Sequence, residues 1–483
     1  MTMIYPDQSN FFKQISLNNG VPNQRWVAVP RIGQPEEMVA TYYDKIIKAL
    51  TDPLTAKEKE AGLYSPPSPP RVLFEGTNDE AQDFLQQTVL VDTCRNCPIA
   101  KYTDGLPVVI PTKEKVAAML TGTSHKASEQ IVRPFGSAAS PFGPETAPGT
   151  AVVTYAQKYT STVEKAAVCA VMAGCKPQYF PAVLAIAVLG GASTNCPGTS
   201  SMSSTFFVVS GPYAKEIGMN PGHESMDVGN MANMTLGRVG SLMTVNFGGC
   251  ITGLVRTDSG NPVHSVCFPE DVDGLPPGWE GLNEESTYYD STKKATVNYT
   301  KTQSVIGKVG GQWFIMNAST YPGYFRTMNT GQMGIARMLG VAGTPGHYNW
   351  LEYILPRYIQ LHKGVGGVTF LLHFNLATLL YEAGFKTKDS IYKWMWDNYY
   401  ITVLEHYNTG LWEFPYDDGR ATESTSGKTW NELLAMGGTY KLHALGGSNY
   451  KSNCVIIGDS FADEHYYLLP SGRPSPTSID YWK

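Results

Sequence analysis

The feature that most constrains this chain is a repeated grammar of short apolar runs set between helix-forming segments. The stretch "STFFVVSGPYAKEIG" (204–218) offers β-branched and aromatic residues, a turn, a short helix and a closing Gly218. "GVTFLLHFNLATLLYEAG" (367–384) repeats that order and closes at Gly384. A helix candidate follows each glycine, "NMANMTLGRVGSLMTV" (230–245) and "KDSIYKWMWDNYY" (388–400), and an apolar strand candidate follows each helix, "VHSVCF" (263–268) and "NCVIIG" (453–458). Further helices are expected before each unit, around 177–189 and 348–361. Short apolar strands alternating with helices read as a parallel or mixed sheet covered on both faces. The expected fold class is therefore α/β, with two similar lobes and an N-terminal arm. Two explanations of the likeness stand: an internal duplication, or unrelated α/β segments sharing a pattern. The glycines are too far apart for a solenoid repeat.

Along the chain, the first 63 residues are weakly patterned apart from the helix candidate "PEEMVATYYDKIIKAL" (35–50), and "YSPPSPPRV" (64–72) supplies a Pro-rich extended linker. The expected division is an N-terminal arm and linker at 1–72 and a leading segment with a cysteine pair at 73–160. The first lobe then occupies 161–290 and the second 291–483. An arm of this kind packs across a neighbouring subunit or folds back on its own chain, and a homo-oligomer is expected.

Composition narrows the function classes. Hydrophobic residues make up 42% and charged residues 16%, which suits a compact enzyme rather than a disordered chain. The net charge is −5, with no basic block, which argues against nucleic acid as a partner. The longest apolar stretch, "PAVLAIAVLGG" (181–191), is about half the ~20 residues needed to cross a bilayer, so no membrane partner is expected. The N-terminus lacks the basic-then-apolar pattern of a secretory signal. These readings predict a cytoplasmic protein whose eight cysteines are reduced.

Candidate chemistry rests on thiols, carboxylates and imidazoles. Cys94 and Cys97 in "VDTCRNCPIAK" (91–101) read as half a metal site, a redox pair, or two loop thiols without a joint role. No second C-x2-C and no H-x3-5-H pair completes a zinc site. The prolines and glycines that follow leave no helix start to activate a thiolate, which favours the third reading. Cys175 is the candidate nucleophile. The helix before it should stop near Gly174 and the next should begin near Pro177, placing Cys175 at a helix N-terminus beside Lys176, a setting that favours thiolate. Cys169, six residues earlier, should point away from it and belong to the core. Cys267 ends a buried strand and could approach Cys175, with core packing as the alternative.

Ligands in such sheets bind beyond the carboxyl ends of the strands, where Glu270 and Asp271 in one lobe and Asp459 in the other are expected to face one cleft. Glu270 and Asp459 are catalytic candidates there, with Glu270 as a possible proton-transfer group. His223, beside Glu224 in a Gly-rich loop, is a candidate general base. His264 and His465 flank the strand ends, and His373 ends one strand where Ser210 ends another; these positions could supply an acid/base pair or, with His264 and His465, carboxylate–imidazole metal ligands. "GNMANMTLGR" (229–238) offers a helix start able to hold an anion, with Asn230, Asn233 and Arg238 as binding groups, or with Asn230 as a plain N-cap. Asp104 joins the substrate-binding candidates. No nucleotide loop, G-x-S-x-G elbow or H-E-x-x-H is present, and no cofactor is firmly implied.

Five phrases occur together: "YTDGLPVVIPTKEKVAAML" (102–120), "STVEKAAVCAVMAGCKPQYFPAVLA" (161–185), "GPYAKEIGMN" (211–220), "GNMANMTLGR" (229–238) and "NFGG" (246–249). In that order, and with "LYEAGFKTKDSIYKW" (380–394), the chain resembles the UGSC-family (seleno)proteins and their longer bacterial relatives from about residue 73 onward. The resemblance implies an enzyme-like cytosolic protein and supplies no reaction. The tetrapeptide behind the family name is absent here, and so is selenocysteine. The leading expectation is a cysteine and acid/base enzyme acting on a small organic substrate, of lyase, hydratase or hydrolase type. The alternatives are a thiol redox or metal-binding protein using the cysteine pair, and a non-catalytic assembly protein.

Overall fold

A computed structural model describes residues 2–4, 12–13, 16–17, 19–29, 35–62, 70–91, 95–135, 148–152, 160–189, 206–223, 225–226, 228–247, 249, 251–252, 266–290, 292–309, 369–372, 374–382, 384–398, 400–408, 422–423, 426–443, 449–458, 467–469 and 473–483. The N-terminal arm holds β1 (Thr2–Ile4), β2 (Trp26–Ala28) and α1 (Pro35–Thr51). Next come α2 (Asn78–Leu85), the hairpin β3 (Thr88–Val91) and β4 (Cys97–Ala100), and α3 (Lys113–Leu120). The body continues with α4 (Val163–Ala173), α5 (Phe180–Val188), β5 (Phe206–Ser210), α6 (Tyr213–Glu216), α7 (Met231–Asn246) and β6 (Val266–Pro269). After α8 (Leu282–Glu285) come the hairpin β7 (Thr287–Asp290) and β8 (Ala295–Asn298), and then β9 (Val305–Val309). The later elements begin with β10 (Thr369–Leu372), α9 (Phe374–Glu382), α10 (Lys388–Asn398), β11 (Tyr400–Thr402) and α11 (Val403–Asn408). They end with α12 (Trp430–Ala435), β12 (Lys441–His443), β13 (Cys454–Ile457), β14 (Tyr467–Leu469) and β15 (Ser475–Ser478).

The α/β class is observed, and the sheets are mixed. One sheet has the order β15-β9-β5-β6 and another β13-β10-β14. β5 pairs parallel with β6 and antiparallel with β9. β10 likewise pairs parallel with β13 and antiparallel with β14. Each three-strand unit thus has its first strand in the middle, its second strand parallel on one side and its third antiparallel on the other. Gly218 and Gly384 both take left-handed backbone, φ +70° and +112°, so each glycine turns the chain after a β–helix step. The expected helix at 348–361 lies outside the described residues.

The boundary expected at residue 290 does not separate the two sheets. β9 and β15 both come from beyond it and build the first sheet. Neither has a long apolar run, and β15 carries Pro476, which an edge strand tolerates.

Packing orders the layers. Phe207, Val209, Cys267 and Ile306 turn one face of the first sheet onto a core shared with α4, α5 and α7. All nine residues of α5 are buried, as expected of a helix that is apolar around its whole circumference. The opposite face, with Phe206, Val208 and Phe268, packs on Leu371, Cys454 and Ile456 of the second unit. Alternation along β5 therefore feeds two cores at once.

The last residues close the helical core. Trp482 is 0% exposed, its ring 4.6 Å from that of His125. The Thr123 hydroxyl donates to the Trp482 carbonyl at 2.6 Å, and a His125 ring nitrogen lies 2.9 Å from the Tyr481 carbonyl. The buried indole N–H has no acceptor among the described residues, so the ring is held by packing. Trp482→Ala is expected to cost about 3–5 kcal/mol, the usual range for emptying a large aromatic site. Urea unfolding of the full chain would measure it, and a loss below about 1 kcal/mol would show that the ring is peripheral to the core.

Candidate active site

The carboxyl ends of the parallel strands meet. After β6, the Glu270 N–H continues the ladder to the Val209 carbonyl at 2.7 Å, and the Asp271 N–H crosses to the Ile457 carbonyl of β13 at 2.7 Å. The Gly458 N–H donates to the Leu372 carbonyl of β10 at 3.0 Å. A Cβ at Gly458 would lie 3.1 Å from the Leu371 side chain and 3.5 Å from the Pro269 carbonyl. The Pro221 carbonyl would be 3.8 Å away. The ends of β6 and β13 and the loop carrying Pro221 and His223 therefore converge on one backbone crossing. This is where a sheet of this type presents ligand-binding groups.

Below that crossing lies a buried charged network. The Glu270 side chain is 0% exposed and the Lys388 side chain 1%. Lys388, the first residue of α10, donates to Glu270 Oε1 at 2.8 Å. The Ser210 hydroxyl, at the end of β5, donates to Oε2 at 2.7 Å, and the Leu282 N–H donates to the same oxygen at 2.6 Å. Ser210 Oγ in turn accepts the Asn283 N–H at 3.1 Å, and Asn283 Nδ2 donates to the Gln303 carbonyl at 2.8 Å. Glu285 lies 3.9 Å from Lys388 and 3.4 Å from Arg473, and it accepts the Tyr392 hydroxyl at 3.1 Å. Tyr392 Oη accepts the Val455 N–H of β13 at 3.0 Å. Two acids and two bases thus bridge the two three-strand units.

The balance of forces can be read from the titration shifts. Burial works to neutralise Lys388, but the charges of Glu270 and Glu285 outweigh it, and the ammonium is held above its ordinary value of 10.5. Burial pushes the Glu285 carboxyl up despite the opposing pull of Lys388 and Arg473. At an effective dielectric of about 20, charges about 4 Å apart attract by about 4 kcal/mol, similar to the desolvation of each ion. The donors from Ser210 and Leu282 satisfy the second Glu270 oxygen, which Lys388 does not reach.

Two groups stand nearer solvent at the crossing. The Asp271 carboxyl is half-buried, and burial, with Asp273 and Glu270 adding negative charge, raises it above its ordinary value against the Gly274 N–H. His223 is exposed, on a loop whose path is set by the Asn220 side-chain amide donating to the His223 carbonyl at 2.6 Å. Asp271 and the loop bearing His223 thus both reach the strand-end crossing, and carboxyl and imidazole groups are common proton-transfer groups.

The other expected site residues fall into three groups. Asn230, Asn233, Arg238 and Asp104 are used within the fold. Asn230 caps α7 by accepting the Asn233 N–H at 3.1 Å and donates to the Gly218 carbonyl. Asn233 accepts the Asn220 N–H and donates to the Asn220 and Ser225 carbonyls, fixing the 218–225 loop. Arg238 grips Asp104 at 2.9 and 3.0 Å and also reaches the Pro107 carbonyl at 2.7 Å. Arg238 and Asp104 thereby clasp α7 to the "TDGLP" loop.

The thiols form the second group. α4 does end at Gly174 (φ +85°), and Pro177 does open the next short helical turn. Yet Cys175 is buried, and burial pushes its thiol up to about 12, against a hydrogen bond with Thr235. The expected thiolate is not favoured there, because burial outweighs any helix-start effect. Cys267 is buried on the helix-facing side of β6, its thiol raised above the ordinary range first by burial and then by Cys175. Cys169, expected to point away, is close enough to Cys175 for its thiol to be raised by it, after burial.

The third group is only partly described. Asp459, His264, His465, Cys94, Glu224 and His373 lie outside the described residues. Cys97 begins β4, paired with Val91 across a hairpin whose turn residues Arg95 and Asn96 are left-handed, so no helix start is there to activate it. Among the described residues, no group of three or more His, Cys, Asp or Glu side chains is placed to hold a metal ion. Sequence reasoning missed Lys388, Ser210 as a partner of Glu270, Glu285, Tyr392 and Arg473. It also missed Lys308 on β9, whose burial lowers its amine to about 8. None of them carries a motif.

No family model matches the chain, and neither a curated protein nor a solved structure matches it.

Lys388→Met leaves Glu270 buried without its cation, and a loss of about 3–5 kcal/mol is expected in urea unfolding. Glu270→Gln combined with Lys388→Met should recover most of it. Because Lys388 is raised above 10.5 in the folded state, its contribution is complete below that pH and is lost only as pH rises through the higher folded value. Alkylation of the native chain at mildly alkaline pH is expected to spare Cys169, Cys175, Cys267 and Cys454 and to label the partly exposed Cys97. Peptide mass spectrometry reads this directly, and rapid labelling of Cys175 would restore the activated-thiol assignment.

Proposed function

We propose that this chain is an enzyme that applies acid–base chemistry to a small organic substrate at the crossing of the strand ends, as a lyase, hydratase or hydrolase. The observation that carries the reading is the hydrogen bond from the Asp271 N–H to the Ile457 carbonyl, which brings the carboxyl ends of two parallel strand pairs together beside the His223 loop. Asp271 donates the proton, His223 accepts one, and the Glu270–Lys388 pair beneath fixes the geometry. Elimination, hydration and ester or amide cleavage all need such paired transfers, and each contributes typically about 10²–10⁴-fold. Cys175 takes no part in this chemistry, since burial pushes its thiol up to about 12.

The chain works as a homo-oligomer in the cytoplasm, with a small molecule as its other partner. Duplication of one ancestral unit accounts for the shared topology of the β5 and β10 units. The resemblance to the UGSC-family proteins fits an enzyme without choosing the reaction.

A panel of small hydroxy acids, esters and amides, followed by chromatography, tests the assignment. Once a substrate is found, Asp271→Asn is expected to lower kcat/KM by about 100-fold or more, with His223→Ala similar and Cys175→Ser near the native rate. Loss of turnover in Cys175→Ser with full activity in Asp271→Asn would return the chemistry to the thiol.

A further inference from the structure

The loop after α3 grips the segment 479–483 through three successive side chains on three successive carbonyls. The Thr123 hydroxyl donates to the Trp482 carbonyl at 2.6 Å and the Ser124 hydroxyl to the Lys483 carbonyl at 2.7 Å. His125 Nε2 lies 2.9 Å from the Tyr481 carbonyl, and Nδ1 of the same ring lies 2.8 Å from Glu129 Oε1. A carbonyl and a carboxylate only accept hydrogen bonds, whereas a neutral imidazole has one N–H and one lone pair. Whichever tautomer it takes, a neutral ring here turns a lone pair toward an oxygen. The doubly protonated ring donates to both partners. Its side chain is 15% exposed, so water offers little relief to an unmatched nitrogen. The ring also leans on those of Tyr481 and Trp482, with centroids 5.2 and 4.6 Å away, and aromatic faces favour a cation.

We infer that His125 is a proton-operated latch: the segment 479–483 docks against an imidazolium, and loss of that proton loosens it. The neighbouring charges leave this role to the ring. Glu129 faces Nδ1 and also accepts the Lys126 N–H at 3.3 Å. On the docked segment Asp480 and Lys483 pair at 2.9 Å, and Lys483 reaches Glu216 of α6 at 3.1 Å. The Tyr481 phenol is held above its ordinary value, first by burial and then by Glu129, so it stays neutral. Glu164, at the start of α4 beside the loop, pairs with Arg71 at 2.9 Å. α5, which packs behind Trp482, has no titratable side chain. Of these side chains only an imidazole ordinarily changes charge between about pH 5 and 8. Both ring bonds are therefore made while the ring is charged, and one of them is lost as pH rises and the ring becomes neutral. The latch controls more than a turn. The Ile479 N–H donates to the Ser304 carbonyl at 3.0 Å and Asp480 Oδ2 accepts the Ser304 N–H at 2.6 Å, just ahead of β9, while β15 runs directly into the latched residues.

Two measurements on the full chain test the latch. Nitrogen NMR of ring-labelled histidine, with the signal assigned by its loss in His125→Gln, should show both His125 nitrogens protonated at about pH 7. Amide exchange across 475–483, corrected for the intrinsic rate and read by mass spectrometry, should rise by about tenfold or more between about pH 6 and pH 8.5, since one proton shifts an opening equilibrium by up to about tenfold per pH unit. Glu129→Gln separates the latch from plain packing. Its amide donates to Nδ1 while the Nε2–H still donates to the Tyr481 carbonyl, so a neutral ring makes both bonds. The pH dependence should then shrink to less than about twofold. A singly protonated His125 in the native chain at about pH 7 overturns the imidazolium. Exchange that is level across the range in the native chain, or a native pH dependence persisting in Glu129→Gln, overturns the latch.

Discussion

The ion pair between Glu270 and Lys388 is the contact on which the joined architecture turns. Each residue belongs to a different three-strand unit, and neither reaches solvent. Two charges can stay ionised in such a place only if their remaining hydrogen-bonding capacity is met. The end of β5 supplies a hydroxyl, the start of α8 supplies an N–H, and Glu285 stands nearby with its own cation, Arg473. The relative position of the two units is thereby fixed by directional bonds as well as by apolar packing. A slip of either unit would strand a charge, whereas a slip of the apolar surfaces alone would cost far less.

The candidate site inherits its geometry from that arrangement. Asp271 follows Glu270 directly, so the residue that anchors the buried network also sets where the half-buried carboxyl emerges. The loop bearing His223 is held by Asn220, Asn230 and Asn233, three side chains whose amide groups replace backbone partners. Their role is to make an irregular loop rigid where the strand ends expose it.

The repeated strand–helix–glycine–helix–strand order was legible in the sequence because it rests on local signals: apolar runs, caps and left-handed glycines. β9 and β15 were not, since "VIGKV" and "SPTS" have no distinctive pattern and become strands only through β5. The site was harder still. Lys388 opens a helix whose sequence reads as partly exposed, and its partner lies 118 positions away. A lysine is rarely fully buried, so nothing local announces it. Arg238 and Asp104 show the opposite case. As isolated residues they look like ligand groups, and only the tertiary structure shows that they satisfy each other. Cys175 makes a related point: its turn is legible in the sequence, whereas its burial is not.

The placement of β15 and Trp482 has a consequence for synthesis. The first sheet begins with β5, yet its edge strand β15 and the plug of its helical core, Trp482, are synthesised much later than β5. During translation β9 therefore waits with one side unpaired, exposed to other strands and to other nascent chains. The long sequence separation between β9 and β15 also slows their pairing relative to the local helices. The first sheet is complete only once β15 and Trp482 have been made, and chaperone dependence would be concentrated in the interval before that segment docks.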